Sequence, residues 1–77
     1  MKVYFSRHAK RRIKLYNIPE ERIEEILISK VLQQGRQELT EVVAGFDYPI
    51  KIVLKVEGEL ITVITNYPFK KGGKGKK

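Results

Sequence analysis

Residues 50–68 read IKIVLKVEGELITVITNYP. In the first eight, Ile50, Ile52, Leu54 and Val56 fall on one side and Lys51, Val53, Lys55 and Glu57 on the other. That period of two is the mark of a half-buried strand. Gly58-Glu59 makes a two-residue hairpin loop with glycine in the first position, where a positive φ is needed. Leu60 to Pro68 then returns as the partner strand. The loop sets the register, and the register sorts the side chains. With Glu57 opposite Leu60, Val56 faces Ile61, Leu54 faces Val63, Ile52 faces Thr65 and Ile50 faces Tyr67. This mostly apolar face is expected to receive helices. The opposite face pairs Lys55 with Thr62, Val53 with Ile64 and Lys51 with Asn66. It is expected to stay open to solvent or to a partner.

Upstream of the hairpin, ELTEVVAGF (38–46) reads as another strand, and DYP (47–49) as a turn in which Pro49 pushes Tyr48 into an extended conformation. Before it, IPEERIEEILISKVL (18–32) reads as a helix. Pro19 suits its first turn, Glu20 and Glu21 face the positive end of the helix dipole, and Ile23, Ile26, Leu27 and Val31 form an apolar stripe. SRHAKRRIKLYN (6–17) predicts a further helix, capped by Ser6 and closed by Asn17 in a left-handed conformation. Its buried stripe is expected to be Ala9, Ile13 and Tyr16. Lys2 to Phe5 alternate as a short strand. The order β-α-α-β-β-β predicts an α+β domain over 1–69, with both helices on one face of a three- to four-stranded antiparallel sheet. The lysine- and glycine-rich tail, KKGGKGKK (70–77), is expected to be disordered.

A chain of 77 residues holds one small domain. It contains no cysteine and a single histidine, so disulfides are absent and no metal site or cofactor is expected. No apolar run is long enough to span a membrane, and the N-terminus lacks a segment of signal-peptide character. A cytoplasmic location is the expectation. The net charge of +7 is unevenly spread. Residues 1–16 carry six basic groups and no acid, residues 17–69 carry five basic groups and all nine acids, and the tail carries five lysines. Basic ends around an acidic middle point to a polyanionic partner, attracted by charge and by counterion release.

HAKRRIKLYNI (8–18) resembles the N-terminal signature of a small domain-of-unknown-function family within the RelE/ParE-like toxin superfamily. His8, Ala9, Arg12, Ile13 and Ile18 carry the likeness, PEERIEEIL (19–27) is similar to the acid-rich second helix, and Thr65-x-Tyr67 to the last strand. Two positions depart from the pattern. Tyr16 stands where a second basic residue is common, which removes a phosphate-binding candidate, and Asn17 replaces the usual glycine. The resemblance implies a toxin that binds RNA or the ribosome and is silenced by a small antitoxin. It leaves open metal-independent RNA cleavage, action on a protein target such as gyrase, and a non-catalytic nucleic-acid or protein-binding module of the same fold.

His8 and Arg12 lie four apart, on the same side of a helix, with Arg11 beside them. The expected register brings Thr65 and Tyr67 beneath the helices, so these residues form a candidate site. In cleavage without a metal, the 2′-hydroxyl attacks phosphorus, which calls for a base, an acid and cations. His8, Arg12 and Tyr67 are the catalytic candidates. Arg11, Lys51, Lys55, Thr65, Lys70 and Lys71 are the candidates for holding RNA or its phosphates. The Val53/Ile64 pair on the open face is the expected antitoxin contact. The plainer reading gives His8 a backbone hydrogen bond, Arg12 a packing role, Thr65 and Tyr67 places in the sheet, and the two lysines a solvated strand face.

Overall fold

Hairpin geometry dominates the computed structural model, which describes residues 2–69. The elements are β1 (Lys2–Phe5), α1 (Arg7–Tyr16), α2 (Glu20–Ser29), β2 (Gly35–Glu41), β3 (Ile50–Glu57) and β4 (Leu60–Pro68). The two hairpin strands have the bounds that the alternation predicts. Gly58 takes φ 63° while Glu59 stays outside the left-handed region, as a glycine-first loop requires.

The four strands form one sheet in the order β1-β4-β3-β2. β2, β3 and β4 are antiparallel, but β1 runs parallel to β4, with Lys2 opposite Leu60 and Phe5 opposite Val63. The sheet is therefore mixed, where an antiparallel one is expected from sequence. Short connections dictate the directions of β2, β3 and β4 only. β1 reaches β2 through both helices, at the other edge of the sheet, so no tight turn forces it antiparallel.

Three boundaries also move. β2 occupies 35–41, not 38–46, because β3 begins at Ile50 and offers no partner beyond Glu41. α2 stops at Ser29, whose hydroxyl donates to the Ile26 carbonyl at 2.8 Å. Lys30 is already extended, and Val31 is fully exposed rather than part of the buried stripe. Pro19 takes the N-cap place, one residue before the first turn.

The core is a single cluster on one sheet face. Phe5, Ile50, Ile52, Leu54, Val56, Ile61 and Val63 meet Ala9 of α1 and Ile23, Ile26 and Leu27 of α2. Each large aliphatic side chain buried there contributes on the order of 2 kcal/mol. α1 fits as its sequence predicts at both ends: Ser6 Oγ accepts from the Ala9 N–H at 3.1 Å, and Asn17 is left-handed at φ 56°. Its buried stripe is narrower than expected, since Ile13 is half-buried and Tyr16 is exposed.

A β-bulge changes the far half of the hairpin. Leu54 faces Val63 as expected, but Val53 faces Thr65, so Ile64 is an extra residue in β4. Beyond it Ile52 faces Asn66 and Lys51 faces Tyr67. The slip exchanges faces. Asn66 turns into the core, fully buried, and its amide donates to the Ala9 carbonyl at 3.4 Å. Thr65 and Tyr67 join Val53 and Lys51 on the face away from the core, contrary to the expected placement under the helices. The amide lies beneath Ala9, itself fully buried where α1 meets the sheet. α1 also holds the bulge directly, because the Ser6 hydroxyl donates to the Ile64 carbonyl at 2.7 Å.

Candidate nucleic-acid interface

The charge of α1 is unlike that of the rest of the fold. Arg7, Lys10, Arg11, Arg12 and Lys14 sit on a ten-residue helix with no acid in its first turn. Among the described residues, ion pairs join Arg22 to Glu25, Lys30 to Glu41, Lys51 to Glu38 and Lys55 to Glu57. None involves a cation of α1. Arg7, Arg11 and Lys14 follow helical spacing and are all exposed, so they form one ridge. Arg11 and Lys14, with the exposed Leu15, line a shallow groove on this side. Cations at a helix N-terminus oppose the dipole, and each costs a few tenths of a kcal/mol or more. A local rule broken without compensation from neighbours marks a place where a partner is expected.

Arg12 connects this ridge to the sheet. It is half-buried, and its guanidinium lies 5.8 Å from the centroid of the Tyr67 ring. The route is open because β1 ends opposite Val63, leaving the second half of β4 without a strand on that side. Tyr67 packs edge-on against Phe69 at 6.4 Å, and the Lys51 ammonium lies 4.7 Å from the Phe69 centroid. Phe69 is held in line by its N–H, which donates to the Pro49 carbonyl at 2.8 Å. The result is a continuous row of cation, aromatic, aromatic and cation from α1 onto the open sheet face. Such interleaving suits nucleic acid, since aromatic faces stack on bases and guanidinium or ammonium groups meet phosphate.

The expected site residues separate into groups. Arg12 and Tyr67 meet, though around the margin of β4 and not beneath the helices. Arg11 and His8 lie exposed on α1. Among the described residues no hydrogen bond engages the His8 ring. Lys51 is on the open face but engaged, at 3.1 Å from Glu38. Lys55 is exposed and lies 3.4 Å from Glu57. Thr65 is on the same open face, with a buried hydroxyl that has no hydrogen-bond partner among the described residues. Lys70 and Lys71 lie outside the described residues. Val53, expected as an exposed contact with Ile64, is buried and faces Thr65; the bulge sets Ile64 and Thr65 together beside it.

Phe69 and Asn66 escape a reading of the sequence alone. Phe69 follows the proline that closes the strand, and only the bulge and the bond to Pro49 bring it beside Lys51. An asparagine amid Ile, Val and Thr is a mild anomaly for a strand, and it marks the slip. A scan of protein-family models, a search of curated proteins and a search of solved structures return no match to this chain.

Proposed function

We propose that this chain is an RNA-binding protein of RelE/ParE-like toxin type, in which α1 holds the phosphates and the Tyr67–Phe69 row receives bases. The observation that carries the reading is the segregation of charge: the α1 cations stand without acids, next to two aromatic rings with cations on both sides. On the same reading, a small antitoxin is the partner that covers α1, and its own acidic groups answer the ridge.

Binding of labelled single-stranded RNA, followed by anisotropy over a range of salt, tests this. The expected result is an affinity that falls steeply with salt, with a slope of about −0.7 for each phosphate neutralised. Equal, weak binding of RNA and a neutral polymer at all salt concentrations would overturn it. Growth arrest on expression, relieved by a co-encoded small protein, tests the toxin part.

Cleavage is a second reading, favoured by the contact of Arg12 with Tyr67 one helical turn from His8. In it, His8 takes the proton of the 2′-hydroxyl, Arg12 meets the developing charge, and Tyr67 supplies a proton to the leaving oxygen. Cleavage that persists in a chelator and is lost in His8→Ala supports it. RNA binding without strand scission leaves α1 as a binding surface alone.

A further inference from the structure

On the open sheet face, Glu38, Leu39, Thr40, Lys51 and Phe69 enclose an open pocket at the end of the aromatic row. It shares Lys51 and Phe69 with the aromatic row and adds Glu38 and Thr40, which the charge argument for α1 does not use. Glu38 and Thr40 project from β2, Lys51 from β3, and Phe69 follows β4. Two paired strands therefore carry the pocket's polar groups, and the residue after the third strand carries its ring.

Those groups have an order. Lys51 Nζ lies 3.1 Å from Glu38 Oε1. A planar edge that meets this pair finds carboxylate acceptors beside an ammonium donor. An ionised carboxylate accepts about four hydrogen bonds, so Oε1 can hold Lys51 and still accept from a ligand. Guanine alone among the RNA bases presents the complementary run: the N2 amine donates, N1–H donates, and O6 accepts. Adenine and cytosine set a ring-nitrogen lone pair against the carboxylate, and uracil flanks its one N–H with two carbonyls. Phe69 places an aromatic ring beside the Lys51 ammonium, 4.7 Å from its centroid, so a base that meets Lys51 through O6 has that ring within stacking reach. Its other neighbour, Tyr67, leads back to Arg12 and the phosphate-holding ridge.

We infer that this pocket reads a guanine base, with Glu38 accepting from N1–H and the N2 amine, Lys51 donating to O6, and Phe69 stacking on the ring. The inference rests on RNA binding by α1 and adds base selectivity to it. Glu38 is about half exposed, with its side chain 53% accessible, so the carboxylate is available and its substitution leaves the core untouched.

The test uses the full chain and short oligouridine strands that carry one central guanine, inosine, adenine or cytosine. A bidentate base contact discriminates by roughly an order of magnitude, so the guanine strand is expected to bind about tenfold more tightly than plain oligouridine. Inosine keeps N1–H and O6 but lacks the amine, and is expected to lose most of that gain. Glu38→Gln puts an amide donor opposite a donor, and is expected to bring the guanine and uridine strands to the same Kd. Equal affinity for all strands in the native chain overturns the guanine pocket and leaves binding by α1 standing. A guanine preference that survives Glu38→Gln overturns it as well. If no strand binds, the RNA reading itself fails, and the pocket's role falls with it.

Discussion

α1 and α2 are equally long, ten residues each, and lie on the same side of the sheet, yet they are built on opposite plans. α2 anchors three buried side chains, Ile23, Ile26 and Leu27, and begins with Glu20 and Glu21, which favour its dipole. Its one arginine is paired with Glu25. α1 buries only Ala9 fully, begins with Arg7, and has no acid to balance its five cations. Its attachment combines Ala9 and the half-buried Ile13 with polar bonds: Ser6 bonds to the Ala9 N–H and the Ile64 carbonyl, and Asn66 reaches the Ala9 carbonyl. One helix serves the fold. The other is carried by the fold, and its surface chemistry is free to serve a partner.

Truncating the anchor of α2 should have the largest effect. Leu27 is fully buried in the core. Leu27→Ala removes its transfer energy and leaves a cavity, for an expected loss of about 2–5 kcal/mol in urea unfolding. No exposed residue of α1 should approach that value. A loss below about 1 kcal/mol would mean that α2 is loosely docked, and the contrast between the helices would lose its structural half.

Next comes the ridge. The double variant Arg11→Glu, Lys14→Glu reverses two exposed charges that join no ion pair among the described residues. RNA affinity at low salt should fall at least tenfold, about 1.4 kcal/mol or more, while the unfolding midpoint hardly moves. The mirror variant on α2, Glu21→Lys, should leave affinity unchanged or raise it slightly. Equal losses from both helices would show that the charge of the whole molecule matters and that α1 is not a distinct surface.

Ser6 tests how α1 is held. Ser6→Ala removes the N-cap and the bond to the bulged strand together, with an expected cost of about 1 kcal/mol. RNA affinity should fall only as far as α1 frays. Ser6→Asp keeps a cap but lacks the hydroxyl donor to Ile64, so it separates the two bonds. Full recovery of stability by aspartate would assign the whole effect to capping.

Much of this contrast is legible in the sequence, because it depends on local patterns. Ser6, Asn17, the acids of α2 and the Gly58 loop are short-range signals, and each occupies the conformation its chemistry predicts. The near half of the hairpin follows from the same loop. What escapes is set by contacts distant along the chain. The direction of β1 depends on where two helices deliver the next strand. The bulge at Ile64 depends on α1 docking at β4, and one inserted residue moves Thr65 and Tyr67 to the other face while drawing Asn66 inward. Arg12 and Tyr67 still meet, but by a path around a short β1 that no periodicity reveals. The basic helix was legible as a site; its continuation through Phe69 to Lys51 required the fold.

The smallest effect is also the most discriminating, because its sign is unusual. Arg7 and Glu20 are the first residues of α1 and α2 and both are exposed. If α1 keeps its cations for a partner, then Arg7→Glu should stabilise the protein by about 0.3–1 kcal/mol, since a negative charge suits a helix N-terminus and relieves repulsion along the ridge. Glu20→Arg should destabilise it by a similar amount. Both shifts should shrink toward zero near 1 M salt, where the screening length is about 3 Å. The same Arg7→Glu change should weaken RNA binding, so stability and affinity move in opposite directions. A destabilised Arg7→Glu protein would place Arg7 among the contacts that hold α1 to the sheet. The charge of α1 would then be a structural feature, and the case for a polyanion surface would have to stand on Arg11 and Lys14 alone.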